Sequence, residues 1–294
     1  MVVFVEFKRC VQLEQKFTTV IKPKRGLFEL DLKEVFKYKD LIILFTKRNF
    51  TAVYKQTILG PAWAIIQPLL TTIVFTIVFG NIAGLDTNGI PPFLFYLCGS
   101  VAWSYFSTCF TGTANTFVSN ASIFGKVYFP RIVTPISVVL TNLISFTIQF
   151  VFFVGFLIFY CIKPSSAISP NYAYMILLPV ILLQMALLGL GFGIIVSSVT
   201  TKYRDLSMLV SFGVQLWMYA TPIAYSLAEV PEKWQGIYML NPVTPIVEAF
   251  RYAFLGAGTF SLKYYIISWA ATFIVLFTGI LMFNRVEKTF MDTV

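Results

Sequence analysis

The chain has 294 residues, 57% of them hydrophobic and 12% charged, with a mean hydropathy of +0.79. Soluble domains carry about 25% charged residues, so this composition describes an all-α polytopic membrane protein. A membrane barrel would instead alternate over segments of about ten residues. The formal net charge is +9 and there is no histidine. That excludes His-based zinc sites, Ser-His-Asp hydrolysis and histidine proton relays.

The first 60 residues are polar and charged, with no short apolar core of the kind a cleavable signal needs. A cytosolic N-terminal region 1–60 is therefore expected. Within it, Asp31 and Glu34 mark a helix start. An amphipathic stretch follows through Asp40, Leu41, Leu44, Phe45, Lys47, Arg48 and Phe50, as in helices that lie in the headgroup plane. Lys47, Arg48 and Lys55 suit anionic lipid; they also suit the phosphate of a lipid-borne substrate. Gly60-Pro61 then breaks the chain ahead of Trp63.

Charge-free stretches place six spans, near 63–84, 92–117, 133–160, 173–199, 206–227 and 264–283, in a transmembrane domain of 61–294, each close to the ~20 apolar residues a crossing needs. With the N-terminus inside, the inner segments hold 18 of the 22 Lys and Arg. That bias predicts both termini in the cytosol. It also assigns the basic balance to membrane orientation rather than to nucleic acid, for which no soluble basic domain exists. Of the four cysteines, Cys98, Cys109 and Cys161 lie in or beside apolar runs and Cys10 stands alone; they read as small hydrophobes rather than disulfides or ligands.

Loop 119–131 allows Ser119 or Asn120 to cap a short helix that Pro130 ends. Its apolar residues Ile123, Phe124, Val127 and Tyr128, with Lys126, form a stripe. That stripe either packs under its own bundle or docks into another subunit. At Thr200–Leu206, Asp205 suits a helix start. No phosphate-binding loop is present: Asn120 stands where the first glycine would, and Val127 follows Gly125-Lys126. The spans hold no Asp, Glu, Lys or Arg, so no proton-coupling chain is present either. Such a chain is a passive pore, a lipid-facing scaffold, or the membrane half of a complex powered elsewhere.

Between the last two spans lies 229–262, interrupted by Pro231, Pro242 and Pro245, which keep any helices short. Glu248 and Arg251 are one turn apart and can pair; such a pair is either a local staple or an outer gate. Tyr96, Trp103, Tyr105, Phe106, Trp217 and Tyr219 are candidates to line a path for a sugar polymer, although interfacial belts also use such rings.

Taken in order, several segments resemble the permease subunit of type-2 ABC exporters, in the branch that exports polysaccharides. They are Thr19–Lys24, Tyr54-Lys55-Gln56 through Trp63, Gln67-Pro68, Lys126–Arg131, Tyr203-Arg204-Asp205-Leu206, Thr221-Pro222-Ile223, Asn241-Pro242 through Arg251, and Glu287 through Val294. The resemblance covers nearly the whole chain. It implies six helices per subunit, a homodimer with a pore at its interface, and two separate ATP-binding cassette ATPases carrying ATP and Mg. It implies that the N-terminal helix and loop 119–131 meet those ATPases, and that 229–262 folds into re-entrant external helices. The implied substrate is a lipid-linked glycan, O-antigen, capsule or similar, on a polyprenyl diphosphate carrier in a bacterial cytoplasmic membrane. Two rival readings remain: a permease of this fold for a small molecule or drug, and a membrane glycosyl or phosphate transferase. The scattered acids Asp86, Asp205, Glu229, Glu232 and Glu248 speak against the transferase.

Overall fold

The computed structural model describes residues 32–55, 57–127, 129–163, 168–200 and 205–293, with side chains 32–34 and 286–293 excepted. Thr19–Lys24, Gln56, Tyr128, Tyr203, Arg204 and the side chains of Glu287 onward therefore lie outside the described residues. Among those described, the chain is helical throughout, without a strand.

Two helices precede the bundle, α1 (Leu32–Lys37) and α2 (Lys39–Tyr54). Gly60 takes the left-handed φ of +51° and Pro61 follows it, which turns the chain through a short 3-10 segment (Gly60–Ala62). Helix α3 (Trp63–Phe75) keeps Pro68 inside it and runs on as a π-helical segment, Thr76–Ile82. A proline removes one rung of the helix ladder. Thr71 and Thr72 add hydroxyl donors on the carbonyls of Gln67 and Pro68, at 3.1 and 2.7 Å.

The central post is α4 (Pro92–Ala114), and α5 (Thr116–Phe124) continues from it across Asn115. Then come α6 (Val133–Ile162), the four-residue α7 (Tyr172–Met175), α8 (Leu178–Thr200), α9 (Leu206–Tyr219), α10 (Glu232–Leu240), α11 (Val243–Leu255) and α12 (Leu262–Thr293). Five helical segments are long and apolar enough to cross a membrane: Gly60–Ile82, Pro92–Ala114, Val133–Ile162, Leu178–Thr200 and Leu262–Arg285. They match five of the six expected spans. The stretch expected at 206–227 differs: its helix is 14 residues long and ends at Tyr219. At 1.5 Å per residue that is about 21 Å, short of a ~30 Å hydrocarbon core. Pro222 closes off continuation, since the residue before a proline is pushed away from the helical region.

Burial separates the spans. In its most apolar window α4 is 78% buried and α8 56%, against 22% in each of the other three. So α4 and α8 are inner helices, and the others present one face outward. Small residues set the inner spacing, as in other membrane bundles. A Cβ built on Gly189 of α8 would lie 2.9 Å from Cys109 Cβ of α4, and one on Gly279 of α12 would lie 2.9 Å from the Gly191 carbonyl oxygen of α8.

The main core runs along α4, α6, α8 and α11. A second cluster gathers Val35, Phe45, Phe117, Phe124, Phe129, Ile132, Val133, Ile194 and Phe283 at the opposite end from α11. It joins α1 and α2 to α5, the start of α6 and the end of α12. Ser119 and Asn120 sit inside α5 rather than capping it. The helix starts earlier, at Thr116, because α4 passes almost unbroken into α5 and leaves no exposed N-terminus to cap.

Candidate functional site

The segment at 229–262 forms α10 and α11. Pro245 falls in the first turn of α11, where a backbone N–H is not needed. Of the 13 residues of α11, only Tyr252 is not buried. The helix needs no single apolar face because neighbours surround it.

Its two charges are met inside. Glu248 and Arg251 are 2% and 1% exposed, and Nη1 of Arg251 donates to Oε1 of Glu248 at 2.7 Å. Nη2 of Arg251 donates to the carbonyls of Pro222 and Ile223 at 3.0 and 3.5 Å. The guanidinium carbon stands 3.9 Å from the centre of the Phe95 ring, a cation–π geometry. Oε2 of Glu248 accepts from the Thr259 N–H at 3.1 Å. The pair thus joins α11 to the Thr221–Ile223 turn, to α4 and to the loop after Gly256. Gly99 leaves the space: a Cβ there would sit 3.0 Å from Ile223 Cγ2 and 3.3 Å from Arg251 Nη2.

Asn241 is a junction that a reading of charges overlooked. Its Oδ1 accepts from Trp217 Nε1 at 3.1 Å and from the Val243 N–H at 3.2 Å, and its Nδ2 donates to Thr221 Oγ1 at 3.0 Å. One amide therefore fixes the start of α11 to the end of α9.

The candidate path aromatics fall into two groups. Tyr96, Trp103, Tyr105 and Phe106 are buried in the core of the protomer. Trp217 is half-buried, with Trp103 at 6.4 Å and Phe106 at 5.5 Å between ring centres. Of the six, Tyr219 is the one left exposed, at 48%. In this conformation the α4 rings back Trp217 rather than face an open path. Outside the spans, burial pushes the Tyr225 hydroxyl up from its usual range, and its hydrogen bond with Tyr238 adds to this.

At the other end, the 119–131 stripe is divided. Phe124 is buried, with Phe117 and Phe129 at 5.9 and 5.7 Å and the Arg131 guanidinium 5.7 Å from its ring. Ile123 is half-buried, while Lys126 and Val127 are exposed. Inward packing accounts for Phe124; the exposed surface is Lys126-Val127. Asp205 does begin α9, but its side chain makes no capping bond.

On α2, Lys47, Arg48 and Lys55 line an open groove of about 510 Å³ with Leu44, Thr51 and Ala52. Arg48 is engaged: Nη2 donates to Asn120 Oδ1 of α5 at 3.1 Å, and its guanidinium lies 4.6 Å from the Phe45 ring. The basic helix is thereby tied to α5 over 72 residues of sequence, a link that spacing does not reveal. No group of three or more Cys, Asp or Glu suited to a metal occurs among the described residues.

A helical membrane bundle, with no clustered acid–base site among the described residues, matches what comparison gives. The ABC-2 type transporter family model matches residues 40–255, most of the chain. The chain belongs to the ABC-2 type transporter family. It is a membrane transport subunit, and permeases of this family work with ATP-binding cassette subunits. It is 29% identical over 254 residues to an O-antigen export system permease protein RfbA of Klebsiella pneumoniae, covering 86% of this chain and 94% of that one. With the RfbA permease of Myxococcus xanthus it shares 28% over 225 residues, 76% of this chain and 83% of the relative. The inner membrane transport permease YadH of Escherichia coli is 23% identical over 245 residues, 76% and 89% of the two chains.

Proposed function

We propose that this chain is the membrane-spanning permease of an exporter that carries an O-antigen-like polysaccharide, linked to a polyprenyl diphosphate lipid, across a bacterial cytoplasmic membrane. One observation carries the reading: likeness to O-antigen export permeases extends over 94% of the relative's length. Two copies assemble around a pore, and two ATP-binding cassette subunits supply ATP and Mg. The short α9 makes a sixth crossing, its deficit in length met by local thinning of the bilayer, both termini are cytosolic, and α10 with α11 re-enter from the outer side.

On this reading the exposed Lys126-Val127 meets the ATPase. The tie between Arg48 and Asn120 passes movement of α5 to α2. Lys47 and Lys55, exposed in the α2 groove, meet the diphosphate of the carrier, since clustered cations suit phosphate oxygens. At the outer end, Glu248 and Arg251 hold the exit closed or simply staple it. Tyr219 and the edge of Trp217 offer ring faces to the polymer.

The test is reconstitution of the permease with its ATPase in vesicles. Lipid-linked glycan should stimulate ATP hydrolysis and appear on the far side. An assembly stimulated by a small molecule instead, or a permease that works without an ATPase, overturns the proposal.

A further inference from the structure

Between α2, α3, α4 and α6 lies a cleft of about 240 Å³. At about 30 Å³ per water, it holds the volume of roughly eight waters. Its wall is unlike that of a lipid-facing crevice. Gln67, Ser104, Thr108, Asn142, Ser145 and Gln149 all line it, and no charged side chain does among the described residues. Helix α2 contributes Tyr54, whose hydroxyl lies 3.1 Å from Ser145 Oγ. Trp63 and Phe146 supply ring surface beside the amides.

Polar residues inside membrane helices often serve as interhelical glue. The Tyr54–Ser145 contact is of that kind. Gln149 is different. It is 6% exposed, and its Oε1 has no hydrogen-bond partner. That oxygen is itself closed off, so what Gln149 offers the cleft is the rest of its side chain, beside the Asn142 amide and the Ser104, Thr108 and Ser145 hydroxyls.

The wall defines that occupant. Phosphate selects cations and charge-assisted bonds, and the cations of α2 line a different groove; Lys55 adjoins Tyr54 in sequence but faces away from the cleft. Neutral amides and hydroxyls, with aromatic surface beside them, instead match a compact uncharged polyol that both donates and accepts. We propose that this cleft binds an uncharged sugar ring, carried on a lipid headgroup that enters alongside α2. The binding of a sugar rests on the cleft alone; its delivery on the export substrate rests on the function proposed above.

The experiment uses the full chain in nanodiscs of phosphatidylethanolamine and phosphatidylglycerol doped with monoglucosyl diacylglycerol, read by native mass spectrometry. Free glucose is a parallel arm. The wild-type chain should retain the glucosyl lipid in preference to phosphatidylglycerol. Gln149→Leu should weaken retention about fivefold, the worth of one hydrogen bond. Ser104→Phe, which fills the cleft, should abolish it. Gln149→Leu should melt no lower than wild type, because it removes an unpartnered acceptor. A lower melting temperature together with unchanged retention would mark Gln149 as structural and overturn the proposal. So would equal retention of glucosyl lipid and phosphatidylglycerol, or indifference to both substitutions. Binding of free glucose with the same sensitivity supports the site and assigns its sugar to the soluble pool. Export by the assembled complex is read separately. If the wild-type complex exports no glycan while the cleft still retains the glucosyl lipid, the proposed function fails and the site stands.

Discussion

Helices α9 and α11 are nearly equal in length, at 14 and 13 residues, and opposite in placement. Helix α9 carries no charge, yet only Val214 within it is buried. Met208, Leu209 and Phe212 are 79%, 64% and 60% exposed. Helix α11 carries two charges and is buried almost throughout. Inside a bundle, placement follows the satisfaction of polar groups rather than hydropathy alone. A charge can be interior when its partner, two carbonyls and a ring converge on it. An uncharged apolar helix is free to lie on the outside of the chain, where lipid or a second copy covers it.

The largest test of that contrast is to break the pair in α11. Arg251→Met leaves Glu248 buried without its counter-charge and should destabilise the fold by about 3–5 kcal/mol, seen as a lower melting temperature in detergent and lower yield. The double change Glu248→Leu with Arg251→Met should recover much of the loss, because an apolar pair leaves no charge stranded. Equal melting of single and double variants would deny that the pair organises α11.

A smaller effect is expected at the C-terminal end of α11. Gly256 has φ of +71°, and a Cβ there would run into the Ser169 carbonyl. Gly256→Ala should destabilise by about 1–3 kcal/mol, again read by melting. The bond between the two helices comes next. Asn241→Leu takes the acceptor from Trp217 Nε1 and from the Val243 N–H and should lower stability by about 1–2 kcal/mol. It should also shift Trp217 fluorescence, whereas a merely local role for Asn241 would leave that emission unmoved.

The outer face of α9 should be the most tolerant. Phe212→Ala should change the stability of the isolated chain by less than about 0.5 kcal/mol. The companion variant Leu209→Cys reports what covers the face. A disulfide-linked dimer on gels assigns it to a second copy, and none assigns it to lipid.

Much of this was legible in residue order. Five spans and the ends of the charge-free runs follow from the absence of charge over a helix-length stretch. The proximity of Glu248 and Arg251 follows from their one-turn spacing. Fold and family were readable because proline-broken, charged and aromatic segments recur in a fixed order along the chain. The candidate site was less legible. Phe124, one of four stripe residues, turns inward because it joins a cluster with Val35, Phe45, Ile194 and Phe283, residues far from it along the chain. The α4 aromatics back Trp217 because α4 is the central post, and hydropathy does not distinguish an inner helix from an outer one. Asn241 and Gln149 were visible as amides, but a search for charge passes over neutral polar groups.

By itself, the sequence determined that the protein is helical and lies in a membrane, since composition and the lengths of charge-free runs are local facts. Only the tertiary structure decided which of two short helices is interior, what Arg251 meets, and where a polar cleft opens between α2 and α6. Those depend on groups far apart in sequence converging within hydrogen-bond distance, and only packing sets that distance.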